Sequence, residues 1–575
     1  MTHGDTHFDA VIVGSGFGGS VSAYRLAAGG KRVCVLERGK MYPPGSFART
    51  PGEMRKAWWD PARGLHGIWN IWSFTGIEAM VSAGLGGGSL VYANVLLRKD
   101  ERWFVKESPL PDGSYEHWPI DRADLDPHYD NVEKMMNAQK VPFDSPGYDF
   151  PKTRAMKEIA AKLGHEWMLP NLAVTFANDG RPPVLGEPIP EGDYPNIHGR
   201  TRLTCRARGE CDFGCNEGAK NTLDHNYLSA AKHEGADIRT RSEVRRIAPL
   251  DGGGFSIEYV EHGEDMEGTP VDVGSLPHTR LTADRLILAA GALGTPFLLL
   301  RNHASFPHLG DKLGSRFSGN GDLMTFVMRS RSTSPEGTVT PRQLDPSKGP
   351  VISSAMRVPD EVDGGDGRGF YIEDAGYPEF VGWLLESAQV PDTARRFAQF
   401  AKDTIWKRLR NRPDTDVGGE LSALIGEAGL STGSMPLLGM GRDIPDGQMR
   451  LQDNLLEIDW STNTSKAYFQ RMRATMQAIA DELDGDFQDN VLWRFNRVVT
   501  VHPLGGAPMG RHDGEGVVTE FGESFNYPGL FVLDGSAMPG PVGPNPALTI
   551  AAFADRAVER MLSEPAPAGV TKGQL

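Results

Sequence analysis

A histidine, a carboxyl group, an amide and a cluster of thiols carry most of the reactive potential of this sequence. His502 closes the β-branched run Val499-Thr500-Val501 and is followed by Pro503, which ends a strand, and by Gly505 and Gly506, which admit a close neighbour. Its imidazole can take or give a proton near neutral pH, although a lone histidine in such a place also serves as a structural hydrogen-bonding residue. Glu373 stands amid apolar and aromatic residues in Gly369-Phe370-Tyr371-Ile372-Glu373-Asp374-Ala375. Burial there would raise its pKa, as proton shuttling near neutrality requires; Asp374 in its place, or a plain surface acid, is the other reading. Asn545 lies between Pro544 and Pro546, just before the helical stretch from Ala547 to Met561, and reads as a helix cap, which leaves contact with a ligand oxygen open. Cys205, Cys211 and Cys215 match no CxxC spacing and bring no evident fourth ligand, so close-packed reduced thiols are expected and no metal.

These side chains need a scaffold, and its clearest trace is at the N-terminus. The apolar run Phe8–Val13 is followed at once by Gly14-Ser15-Gly16-Phe17-Gly18-Gly19 and then by a helical stretch from Ser20 to Ala27. Strand, glycine turn and helix come in the order of a βαβ unit, whose turn lets backbone approach a pyrophosphate at a helix N-terminus. A second strand, Arg32 to Leu36, ends at Glu37, about 20 residues beyond Gly16, where an acid accepts hydrogen bonds from ribose hydroxyls. An isolated glycine turn could merely allow tight packing; the ordered set points to a dinucleotide. Glu37 disfavours a 2′-phosphate, and the motif alone does not separate NAD from FAD. A second glycine run, Gly84-Leu85-Gly86-Gly87-Gly88-Ser89, lets backbone lie flat against a planar or phosphorylated ligand. Two later strands, Ala283–Leu288 turning through Ala289–Thr295 to a helix start at Pro296, and Leu530–Leu533 ending in Asp534-Gly535-Ser536, read as further parts of the same sheet.

The chain has 575 residues, of which 69 are glycine and 41 proline, too many turn formers for a coiled coil, helical bundle or repeat array. Hydrophobic residues make up 39% and charged residues 23%, a globular composition. A net charge of −15 argues against nucleic-acid binding through a basic surface. No run approaches the roughly 18–20 apolar residues that span a bilayer, and the start lacks the pattern of a secretory signal, so a cytoplasmic protein is expected. Four cysteines agree with a reducing compartment.

Together, Gly14/Gly16/Gly19 with Glu37, the loop from Gly84 to Asn94, Cys215-Asn216-Glu217-Gly218-Ala219-Lys220-Asn221-Thr222-Leu223, the turn from Ala289 to Pro296, His502-Pro503-Leu504-Gly505-Gly506 and the stretch from Asp534 to Ile550 resemble the glucose-methanol-choline (GMC) family of flavin oxidoreductases. The resemblance is strongest to its cholesterol oxidase branch and runs from residue 8 to about 560. It implies FAD as cofactor and an α/β fold: an FAD-binding Rossmann-like domain (1–105, 200–325 and 485–562) interleaved with an α+β substrate domain (106–199 and 326–484) whose antiparallel sheet covers the flavin. Residues 563–575 are expected to form a flexible tail.

The cofactor contacts expected on this basis are Gly14, Gly16, Phe17, Gly18, Gly19, Glu37, Arg38, Gly84, Gly86, Gly87, Gly88, Ser89, Tyr92, Asn94, Val244, Ala290, Gly291, Asp534, Gly535, Asn545 and Pro546. Tyr92 stands where the branch carries a flavin-proximal Asn, with Asn94 taking over part of that role. The resemblance makes His502 and Asn545 catalytic and sets Glu373 beside the glutamate that moves a proton during steroid isomerisation. Alcohol oxidation needs an acceptor and a donor on one hydroxyl oxygen while hydride leaves carbon, and His502 and Asn545 supply that pair. The expected substrate is a hydrophobic, sterol- or terpenoid-like alcohol, favoured also by the aromatic run Phe370, Tyr371, Tyr377, Phe380, Trp383, with O2 or another acceptor reoxidising the flavin. Alternatives are a dehydrogenase passing electrons from a smaller or sugar-like alcohol to a quinone or protein, and an enzyme acting on an enone C=C bond. The basic amphipathic stretch 393–412 reads either as a solvated helix or as a peripheral membrane contact.

Overall fold

A computed structural model describes residues 6–111, 113–378 and 433–564. The basic stretch 393–412, Phe380, Trp383 and the tail beyond Glu564 lie outside the described residues.

The N-terminal apolar runs form a seven-stranded sheet. Asp237–Arg239, Val33–Leu36, His7–Val13 and His278–Leu288 lie side by side and parallel. The last strand pairs along its C-terminal half with Leu530–Val532, and along its N-terminal half with the antiparallel hairpin Phe255–Glu261/Ser242–Pro249. Strands buried on both faces read as continuous apolar runs, and Val33–Leu36 and Leu286–Leu288 are buried throughout. Val13 pairs with Leu36 and with Leu288, and Leu288 with Val532. The four strands therefore end level, so Gly14, Glu37, Ala289 and Leu533 all leave from one carboxyl edge, where open α/β sheets bind ligands.

The helix Phe17–Ala28 packs against Ala547–Ser563 and Tyr227–His233. The helix Arg122–Met135, capped by Asp121, also joins this layer: its Tyr129 hydroxyl meets the Thr549 hydroxyl at 2.8 Å, and His128 Nδ1 lies 2.7 Å from Asp555. Part of the 106–199 stretch thus packs with the dinucleotide-binding sheet, whereas the sequence reading assigned all of it to the substrate domain. Another difference is the helix expected to start at Pro296, which spans Gly291–Arg301. Asp534 and the Thr295 hydroxyl accept from the N–H groups of Gly291 and Ala290, so the helix is capped one turn before the proline.

The second sheet has six strands, all antiparallel: Glu166–Met168, Ala355–Val358, Phe370–Asp374, Met435–Gly441, Leu323–Met328 and Asp486–Asp489, in that order across it. Its residues alternate with the period of two that a strand imposes. Leu323 and Val327, Met435 and Leu437, Phe370 and Ile372 pack into a core with the helices Pro151–Leu163 and Lys466–Glu482. A Cβ on Gly439 would fall 2.3 Å from Met472 Sδ, so the glycine sets how closely the second helix approaches. The alternate residues Met324, Phe326, Pro436 and Leu438 face a cavity of about 870 Å³ whose other wall is the carboxyl edge of the parallel sheet. Val498–Thr500 pairs in parallel with Ile77–Ala79 and leads His502 to this cavity.

Candidate active site

The first glycine motif divides its labour. A Cβ on Gly14 would lie 2.4 Å from Ala289 O, on Gly18 1.4 Å from Leu533 O and on Gly19 2.1 Å from Gly14 O, so these three permit backbone-to-backbone packing. A Cβ on Gly16 would meet nothing within 4 Å, and Gly16 lines the cavity. The helix that begins at Phe17 has no side-chain cap and no acid in its first turn, which leaves its N–H groups for an anion. The second glycine loop presses on the first: Gly87 has φ +54, and a Cβ there would stand 2.7 Å from Gly16 Cα. Gly88 and Gly291 face open space in the same wall.

Glu37 is buried, and its Oε2 accepts from the Ser15 N–H and hydroxyl at 3.1 and 2.6 Å, its Oε1 from the Gly39 N–H at 2.8 Å. A carboxylate has about four acceptor positions, so one remains for a ribose hydroxyl. Arg38 is bonded to Asn70 Oδ1 at 3.0 Å and lies over the Trp59 ring; Phe17 packs edge-on to Tyr92, and all of these line the cavity with Val244, Ala290, Gly535 and Pro546. Asp534 lines it too, but the N–H groups of Ser536 and Gly291 and the hydroxyls of Ser536 and Thr295 fill its acceptor positions. It clamps two turns of the cofactor wall together.

Five expected contacts do not reach the cavity wall: Gly19, Gly84, Gly86, Ser89 and Asn94. Gly84 makes room for Leu90, and the Ser89 hydroxyl bonds Gly86 O and receives the Leu223 N–H, so they shape the loop from behind. Asn94 is fully buried with φ +71, a conformation that asparagine tolerates. Lys220, from the string that follows Cys215, is buried and donates to the carbonyls of Leu90, Tyr92 and Cys211 at 3.1, 2.6 and 2.9 Å, pinning this loop to the cysteine segment. Burial pushes its pKa down to about 8. The cysteines themselves are free thiols.

On the substrate side, His502 Nδ1 lies 2.8 Å from Asp322 Oδ1, a carboxylate 1% exposed. The same carboxylate accepts from the Thr500 hydroxyl and from the N–H groups of Val501 and His502. An acceptor surrounded by donors places the imidazole proton on Nδ1, and Nε2 keeps its lone pair for the cavity. Two residues before Asp322, Asn320 donates to the carbonyls of Gly543 and Pro544 and accepts the Gly543 N–H, holding the turn that presents Asn545. One loop, 318–322, therefore positions both polar groups. The sequence reading missed it; a Gly-Asn-Gly-Asp run signals a turn with polar side chains but does not tell what they hold.

Asn545 does not cap the helix Ala547–Ser563, whose N-cap is Pro546 without a side-chain bond. Its Nδ2 instead points at Glu373 Oε2, 3.4 Å away, and its Oδ1 has no partner. Glu373 lies on the cavity-facing side of its strand, between Ala355 and Leu438 in register, but is fully buried behind the wall. Burial raises its pKa well above the carboxylate range and favours the neutral acid, the Asn545 bond opposing it. Asp374 is equally buried and holds Ser353 and Ser354. Asp212, another residue that the sequence reading passed over, lines the cavity from within the cysteine segment. Burial pushes its pKa up to about 6 against the opposing pull of Lys220, Lys152 and His502.

The donor set and shape fit a flavin dinucleotide. An uncapped helix N-terminus, three glycines open toward the ligand (Gly16, Gly88 and Gly291) and the remaining acceptor of Glu37 suit its pyrophosphate and ribose. The unpartnered buried oxygens of Tyr92 and Asn545, both on lining residues, lack the partners that an occupant would provide.

Comparison with known proteins agrees. Two models described as GMC oxidoreductase match residues 194–316 and 445–554, and a model of an NAD(P)-binding Rossmann-like domain matches 12–42. The chain is 29% identical to a cholesterol oxidase of Mycobacterium tuberculosis over 565 residues, covering 96% of this chain and 90% of the relative. It is 27% identical to a cholesterol oxidase of Acinetobacter baumannii, covering 97% and 95%. A fungal aryl-alcohol oxidase superposes with a TM-score of 0.57 at 16% identity over 97% of this chain and 99% of that one, which shows the shared fold. No helix among the described residues is long and apolar enough to cross a membrane. Residues 194–316 and 445–554 are GMC oxidoreductase domains, and the chain is an FAD-binding oxidoreductase of alcohol-type donors.

Proposed function

We propose that the chain oxidises the CH–OH group of a hydrophobic secondary alcohol, sterol- or terpenoid-like, to the ketone. The observation that carries this reading is His502, tied at 2.8 Å to the buried Asp322 and lining one cavity with Asn545. His502 Nε2 accepts the hydroxyl proton, and Asp322 holds the ring in that tautomer and stabilises the imidazolium. Glu373 acts through Asn545: as a neutral acid it can give or accept their shared hydrogen bond. With its O–H on Oδ1, the amide Nδ2 turns to the substrate oxygen as the donor. FAD, when bound, supplies the acceptor for the hydride that leaves the carbinol carbon. Met324, Phe326, Val351, Ile352, Pro436 and Leu438 give the wall an apolar lining that suits a hydrocarbon skeleton and keeps water from the reacting carbon.

A substrate screen tests the reading. Under anaerobic conditions a 3β-hydroxysteroid is expected to bleach the yellow flavin, and bleaching by sugars but not by sterols overturns it. Peroxide released on admitting air marks O2 as the acceptor; its absence marks a quinone or protein.

Asp212 favours a second reading, a smaller alcohol bearing a polar or amino group. With a pKa near 6, its carboxyl group is neutral below that pH and charged above it. On this reading KM for an amino alcohol falls as pH rises through about 6, and Asp212→Asn removes the dependence. A KM profile equally flat in both proteins rejects it.

A further inference from the structure

We propose that His198, Asp224 and His225 form a binding site for a divalent cation of the zinc class, behind the glycine loop of the cofactor site. Each offers one ligand atom, and these atoms lie within 4.8 Å of one another. His198 Nε2 is 2.6 Å from Asp224 Oδ2, with both side chains 1% exposed. His225 is 8% exposed and its Nδ1 has no partner; Asp224 Oδ1 also has none within hydrogen-bond geometry, although the Thr222 hydroxyl faces this carboxylate. Buried polar atoms normally find partners, so two unpartnered atoms of ligand type in one cluster point to an electron-pair acceptor that the chain does not itself provide, with the His225 proton on Nε2.

The chemistry selects the cation. Two imidazoles and one carboxylate are a common zinc donor set, and they leave one position for water or another oxygen. Calcium and magnesium ask for more oxygens than the cluster holds. Arg202 faces Asp224 but directs its guanidinium to Gly218 O and Asn221 Oδ1, so the carboxylate is not spent on it. To bind, the hydrogen shared between His198 Nε2 and Asp224 Oδ2 moves to His198 Nδ1, and Nε2 and the carboxylate turn from each other to the metal. The expectation of no metal came from the cysteine spacing and did not reach these residues.

The position gives the site a structural use. Asp224 and His225 immediately precede the helix Tyr227–His233, His198 comes from the turn after Asn196, and a Cβ on Gly86 would lie 3.5 Å from Asp224 Oδ1. A bound cation would tie these segments together behind the Gly84–Ser89 loop.

The test uses the FAD-loaded full chain dialysed against Zn2+, then against metal-free buffer, with zinc per chain measured by elemental analysis and its ligands by X-ray absorption. One retained zinc with imidazole and oxygen ligands is expected. His225→Gln should lose it, and a Cys211→Ser/Cys215→Ser variant should keep it. No retained zinc, sulfur ligation, or retention by folded His225→Gln overturns the proposal. If that variant does not fold, the absorption spectrum of the unaltered protein decides alone, because sulfur and imidazole scatter differently.

Discussion

Replacing His502 by alanine lowers the rate at which an alcohol reduces the flavin by about 10²–10⁴-fold, the range that one general base contributes. FAD stays bound in this variant, because His502 adds no cofactor-holding group that the glycine walls lack. Asp322→Asn is the sharper companion. An amide at that position can present N–H to the ring, which moves the imidazole proton to Nε2 and removes the lone pair facing the substrate. The loss then approaches that of His502→Ala, with little change in KM, since a wrong tautomer impairs proton transfer more than binding. Anaerobic stopped-flow reduction measures both. Turnover unchanged in His502→Ala removes the proposed catalytic base, and a full rate in Asp322→Asn removes the positioning role while leaving His502 in place.

Alanine at Gly16 and at Gly18 gives opposite failures. Gly16 has φ −71 and ψ −166, which alanine adopts freely, and its Cβ would enter open cavity. Gly16→Ala therefore folds, with unchanged circular dichroism, but FAD affinity falls at least about tenfold because the methyl group occupies the ligand's space. Gly18→Ala sets its Cβ 1.4 Å from the Leu533 carbonyl oxygen, and neither backbone can yield without separating the helix Phe17–Ala28 from the strand Leu530–Val532. Its cost is about 4 kcal/mol or more, at the extreme of single substitutions. A Gly18→Ala protein as stable as the parent contradicts the packing role, and undiminished FAD in Gly16→Ala contradicts the assignment of that face to the cofactor.

The first βαβ unit of the parallel sheet was readable because its information is local. Apolar strands, glycine turns and the acid after the second strand follow one another within some 30 residues, and each element's geometry is set by neighbours in the chain. The same holds for the last helix, which runs from Ala547 as its composition suggests. Prediction failed where distant groups intervened. Pro296 looks like a helix start, but Asp534, far along the chain, caps the helix at Gly291. Ser89 and Asn94 look like cofactor contacts because they share a loop with Gly87 and Gly88, yet a turn exposes only some of its residues to one side.

By itself the sequence determined the strand–glycine turn–helix–strand succession of the nucleotide-binding unit and, through its family resemblance, the cofactor class and the histidine and amide that line the cavity. Only tertiary structure decided that Asp322 holds His502, that Glu373 lies buried behind the cavity wall within hydrogen-bond reach of Asn545, and that Asp212 and the His198–Asp224–His225 cluster exist as features. The reason is one of range. Backbone conformation and apolar patterning are encoded over a few residues, whereas a hydrogen bond between side chains 180 positions apart depends on where two sheets bring their edges together.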